Sequence, residues 1–274
     1  MIRPPRRVAV LAALLTLLLA GALAACGSEE KDTATAPAPA GSGSGSGSDE
    51  VIVSAAASLK KALTGYGDQF DGGAVRLSFA GSDELAAQIR QGVKPDVFAA
   101  ANTKLPDQLF KEGLVEKPVR FATNELVLAV PSGGDEVSTV EELAQERTSI
   151  AIGAEGVPVG AYTRTVLDRL PAAESKAILA NVRSQEPDVG GIVGKLTQGA
   201  VDAGFVYRSD VEGAGGRLKA IELPDRLKPT VEYGVALVKG GENPAAGTTF
   251  VDGLLDGAGA KALEDNGFGP PSSG

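Results

Sequence analysis

Histidine and tryptophan are missing from all 274 residues, and cysteine and methionine occur once each. Without histidine there can be no Ser-His-Asp triad, no imidazole general base and no histidine-ligated metal. The lone Cys26 can close no disulfide within the chain and cannot build a cysteine metal cluster. No convincing GxGxxG or GxxxxGK[ST] phosphate loop is present, nor an acidic calcium loop of the EF-hand type. Apart from one Gly-Ser tract there is no internal repeat. Positive charge is also scarce, with 26 Lys and Arg against 35 Asp and Glu, a net charge of −9. Without Arg3, Arg6 and Arg7 of the leader the balance falls to 23 against 35, or −12. That disfavours nucleic acid and anionic lipid as partners, whose footprint is basic. It leaves open a small anion, which is held by local donors and dipoles rather than by net charge.

The first residues have the three parts of a secretory signal: a basic start, an apolar run from Val8 to Leu19, and a small-residue cleavage region. The run ends Leu23-Ala24-Ala25-Cys26. This resembles the lipobox of bacterial lipoproteins, in which the cysteine is lipidated and becomes the new N-terminus. Residues 1–25 are thus expected to be a lipoprotein signal peptide, and the remainder extracytoplasmic and lipid-anchored to the cell membrane. From Gly27 to Ser48 the chain is Gly, Ser, Ala, Pro, Thr and a few charges, ending in GSGSGSGS. With residues 26–48 as lipidated cysteine and flexible linker, the reach is about 25 Å.

Beyond the linker, short β-branched runs alternate with stretches of helical periodicity, the pattern of an α/β fold with a mainly parallel sheet. Strands are expected at Val51–Ser54, Ala74–Phe79, Asp96–Ala100, Leu126–Val130, Ile150–Ile152, Ala203–Val206 and Glu232–Val238. Helices are expected to start at Ser58, Ser82, Ala161 and Val189, and a capping box Ser138–Glu141 should open another. Two successive α/β sets suggest two lobes, 49–125 plus 228–274 and 126–227, with a cleft beyond the carboxyl ends of the strands.

Four segments read as strand ends that open helices: AAASLKKAL from Ala55, FAGSDELAAQI from Phe79, GVPVGAYTRTVL from Gly156 and PDVGGIVGKL from Pro187. A helix start carries N–H groups without intrahelical partners and favours negative charge, so four together suggest one small, strongly charged anion. The plainer alternative is that Ser58, Ser82 and Asp188 are ordinary helix caps. Asp96 and Asp202 read as structural, and Arg208 as solvated or paired between lobes.

Taken in order, these segments, with KPDVFAAAN from Lys94, NELVLAV from Asn124, DAGFVYRSD from Asp202 and NGFG from Asn266, resemble the molybdate-binding proteins of bacterial ABC transporters. The resemblance spans nearly all of residues 50–270 and implies a two-lobed type II periplasmic-binding-protein fold. It further implies an oxyanion held only by neutral donors: the hydroxyls of Ser58, Ser82 and Tyr207 and the backbone N–H groups of Val159 and Val189. Val159 stands where the family commonly has alanine, and GAEG at 153–156 replaces a loop that often carries Asp-Pro. The metal would enter only as its oxyanion, with no other cofactor and no catalysis. Implied partners are a membrane permease with a cytoplasmic ATPase, and the binding protein itself is expected to be monomeric. Tungstate or sulfate is the alternative ligand on the same fold. From other classes, a tethered adhesion or sensor module remains open, as does a hydrolase with Ser58 or Ser82 as nucleophile and Lys60 or Lys61 as base.

Overall fold

The computed structural model describes residues 50–134 and 137–272. Cys26, the signal and the linker lie outside them. Two five-stranded sheets share one plan. The first runs β2 (Ala74–Ala80), β1 (Glu50–Ala56), β3 (Val97–Ala100), β10 (Val231–Leu237), β4 (Val119–Asn124). The second runs β7 (Val182–Glu186), β6 (Ile150–Gly153), β8 (Ala203–Tyr207), β5 (Leu126–Pro131), β9 (Leu218–Ile221).

In each sheet the first three strands are parallel, and the fourth is antiparallel to both of its neighbours. The sheets are therefore mixed rather than mainly parallel. The two reversed strands, β5 and β10, are those on which the chain enters one sheet from the other. Within a lobe, βα units need parallel strands, but a strand arriving from outside is not bound by that crossover geometry.

The central strands are apolar on both faces because helices cover them. All four residues of β3 and all five of β8 are buried. In the first lobe, Leu59, Leu63 and Tyr66 share the core with Phe250 of α8 (Pro244–Leu255), the Tyr66 and Phe250 ring centroids lying 4.7 Å apart. In the second, Phe205, Ile192 and Leu196 fill the space beneath α6 (Val189–Thr197). Each such side chain contributes roughly 1.5–3 kcal/mol on burial.

The helix expected from Ser58 begins as a 3-10 turn, Ala57–Leu59, and continues as α1 (Lys60–Gly67). The helix expected at Ala161 starts earlier, as α4 (Pro158–Leu167), with proline at its first position, where no N–H is needed. The capping box is displaced by one residue. Thr139 Oγ1 accepts from the Glu142 N–H, and the Glu142 carboxylate accepts from the Thr139 N–H. Only a 3-10 turn, Glu141–Ala144, follows. The Asn181 amide takes the carbonyls of Leu143 and Gln145, at 2.9 and 2.7 Å, which a longer helix would have needed for its own ladder.

Candidate functional site

At the carboxyl ends of β1, β2, β6, β7 and β8 the two lobes face each other around a small cavity of about 10 Å³. That is the scale of a single water. The five expected residues, Ser58, Ser82, Val159, Val189 and Tyr207, all line it, together with Asp188. No lysine or arginine is among its lining residues.

Each donor is presented by a strand end. Ser58 follows β1 in the 3-10 turn, 8% exposed, and its Oγ lies 2.9 Å from the Tyr233 hydroxyl. Ser82 opens α2 (Ser82–Arg90) and is 1% exposed. It is not the N-cap, a position held by Gly81; its Oγ accepts from the Ala101 N–H at 3.0 Å, which leaves the hydroxyl proton free to donate. The capping alternative therefore does not describe either serine. It does describe Asp188, whose carboxylate caps α6 by accepting from the Gly191 N–H at 3.0 Å. That cap takes the third N–H of α6 and leaves the first, on Val189, for the cavity. Val159 is the second residue of α4, behind a proline that has no N–H to offer. Gly160 next to it permits this placement, because a Cβ there would come within 2.0 Å of the Ala154 carbonyl oxygen.

Tyr207 ends β8 and is 1% exposed, and its hydroxyl is buried without a hydrogen-bond partner. Burial, and then the neighbouring Tyr233, Tyr162 and Asp210, raise its pKa well above the usual phenol value, so it remains a protonated donor. Behind it, Asp210 accepts from the Tyr207 N–H at 3.0 Å. Desolvation, aided by the charge of Asp188 and opposed by that hydrogen bond, pushes the Asp210 carboxyl up to about 7.

The other carboxylates singled out from the sequence hold backbone. Asp96 accepts from the N–H groups of Ile52 and Asn243, tying β1 to the start of α8, and Asp202 accepts from the N–H and hydroxyl of Ser149. Arg208 pairs with Glu125 at 2.7 Å and also with Glu222. The feature that sequence reasoning missed is Tyr233, on the strand that returns from the second lobe. Its ring packs edge-on against Tyr207, centroids 5.9 Å apart, and its hydroxyl meets Ser58. No local motif marks it; only the crossing of β10 beside β3 brings it there.

The lobes also touch directly beside the cavity. A Cβ on Gly81 would stand 2.4 Å from the carbonyl oxygen of Pro187 across the cleft. The Asp83 carboxylate faces Gly156 in the same seam.

The model of the bacterial extracellular solute-binding protein family matches residues 51–269. The chain belongs to that family. Over 264 residues it is 32% identical to the molybdate-binding protein ModA of Mycobacterium tuberculosis, spanning 94% of this chain and 97% of the relative. The periplasmic molybdate-binding protein of Azotobacter vinelandii matches with a TM-score of 0.73 at 22% identity, covering 81% of this chain and 100% of that one. The sulfate-binding protein SubI of Mycobacterium tuberculosis matches with a TM-score of 0.70 at 16% identity, covering 81% and 86%. The two structural likenesses establish the two-lobed solute-binding fold expected from the sequence, and the resemblance to molybdate-binding proteins is found by direct comparison.

Proposed function

We propose that this solute-binding protein captures molybdate between its lobes for an ABC importer, tethered to the membrane through a lipid on Cys26 and working as a monomer. The observation that carries this reading is the buried, unpartnered hydroxyl of Tyr207 in a cavity that it shares with two serine hydroxyls and two helix starts. An orphaned buried hydroxyl costs about 1–3 kcal/mol, which a ligand oxygen would recover. The Ser58, Ser82 and Tyr207 hydroxyls and the Val159 and Val189 N–H groups would together surround a tetrahedral dianion. The helix starts supply about half a positive charge each, in place of lysine or arginine. A four-oxygen anion needs more room than a cavity of about 10 Å³ offers, so the lobes would have to part slightly to admit it. The kinship with molybdate-binding proteins favours molybdate, and tungstate, of the same charge and nearly the same size, would bind alongside it.

In this reading the protein catalyses nothing and requires no cofactor beyond its anionic cargo, which it passes to a permease driven by a cytoplasmic ATPase. A hydrolase reading lacks support from geometry. Ser58 is bonded to Tyr233 and Ser82 to the Ala101 N–H, while Lys60 and Lys61 are exposed.

Thermal unfolding of residues 49–274 with molybdate, tungstate, sulfate and phosphate in turn tests the proposal, because a ligand of the folded state raises the midpoint by mass action. Large shifts with molybdate and tungstate, a small one with sulfate and none with phosphate are expected. A shift led by sulfate would change the cargo. A shift led by phosphate would point to Asp188 as an acceptor for a retained proton. No shift with any anion would remove the transport reading in favour of an adhesion or sensor role.

A further inference from the structure

We infer that Tyr233 is a positioning residue for anion capture, fixing the Ser58 hydroxyl as a donor to the ligand; this rests on the ligand role proposed for Ser58. Ser58 Oγ and the Tyr233 hydroxyl are 2.9 Å apart and buried, and either atom could donate. The ligand decides the direction. A serine has one proton, so if Ser58 gives it to an oxyanion, the contact with Tyr233 survives only with the phenol donating and the serine oxygen accepting. Were the direction reversed, Ser58 would present lone pairs to a dianion.

The surroundings of Tyr233 hold it in that role. The residue is fully buried on β10, its ring wedged edge-on between Tyr207 at 5.9 Å, Phe121 at 6.1 Å and Phe268 at 5.4 Å. Burial raises the phenol pKa well above its usual value, so the proton stays on, and hydrogen bonding with Ser58 and Asn124 only partly offsets this. Asn124 ends β4 at the crossing into the second lobe, and its amide also donates to Ser209 Oγ of α7 (Arg208–Gly213) at 2.8 Å.

The test is a double-mutant cycle on molybdate affinity, with Tyr233→Phe, Ser58→Ala and both together. Tyr233→Phe keeps the ring and removes only the donated proton. Expected is a loss on the order of tenfold in the single Tyr233→Phe variant and no further loss when it is added to Ser58→Ala. The unfolding midpoint of each ligand-free variant controls for stability, which a purely structural tyrosine would change without any coupling to Ser58. Wild-type affinity in Tyr233→Phe, or losses that simply add in the double variant, would overturn the inference. An unchanged affinity in Ser58→Ala would instead remove the role assigned to Ser58 itself.

Discussion

A dianion held without cations depends on each proton aimed at it, so single side chains in this site should separate binding from stability. Ser82→Ala removes one charge-assisted donor and should cost roughly 1.5–3 kcal/mol of molybdate binding, about tenfold to more than a hundredfold in affinity by calorimetric titration. It also orphans the Ala101 N–H, so the ligand-free protein should melt earlier. Tyr207→Phe should behave differently. Its hydroxyl has no partner in the closed cavity, so the ligand-free variant should be as stable as the wild type or more so, while binding weakens at least tenfold. A lower ligand-free midpoint in Tyr207→Phe would contradict this. Asp210 sets a pH dependence. Its folded pKa, about 7, lies above the unfolded carboxylate value of about 3.9, so between these the folded protein keeps a proton that the unfolded chain releases. This contribution is complete below about pH 4 and is lost as pH rises through 7. Urea unfolding from pH 4.5 to 8 should show stability falling in that window in the wild type, with a flatter profile in Asp210→Asn.

At the level of elements, the seam between the lobes should govern closure. Gly81 has φ −60° and ψ 137°, a conformation open to any residue, so the backbone does not demand glycine there. The close approach to Pro187 does, since both sides of the contact are main chain and no rotamer change can relieve it. Gly81→Ala should force the Gly81–Pro187 seam apart, lower the ligand-free melting midpoint and weaken molybdate binding more than about tenfold. Small-angle scattering should show a larger radius of gyration for the ligand-free variant than for the wild type, and an equal radius would contradict this. The helix starts behind this seam were largely readable from sequence, because a small or polar residue between an apolar strand and a periodic run is a local signal. The helix starts at Ser58, Ser82 and Val189 come from such signals, while the choice of Ser58, Ser82, Val159, Val189 and Tyr207 as the residues that meet at one cavity came from the resemblance to the molybdate-binding family. What sequence could not show depends on pairing at a distance. The reversal of β5 and β10, the arrival of Tyr233 beside Ser58, and the shortening of the turn after Thr139 by Asn181 each involve residues tens to more than a hundred positions apart.

At the scale of the whole molecule, a site without lysine or arginine on a chain of net charge −9 makes an electrostatic prediction. Raising the concentration of a non-competing salt should change molybdate affinity by less than about threefold, since fixed dipoles in a buried site are poorly screened. A steep loss of affinity with salt would point to a cationic site elsewhere, such as the groove lined by Lys60, Lys61 and Arg217 on the same inter-lobe face as Ser58. In the proposed mode of capture, the Tyr207 hydroxyl and the neutral donors around it set one place for the metal. A crystal structure of the molybdate-loaded protein, with data collected at the molybdenum absorption edge, tests that most directly. One anomalous peak should lie between the lobes, with its oxygens within hydrogen-bond reach of the Ser58, Ser82 and Tyr207 hydroxyls and the Val159 and Val189 N–H groups. A peak outside that cavity, or one reached by fewer than half of those donors, would contradict the proposed mode of capture.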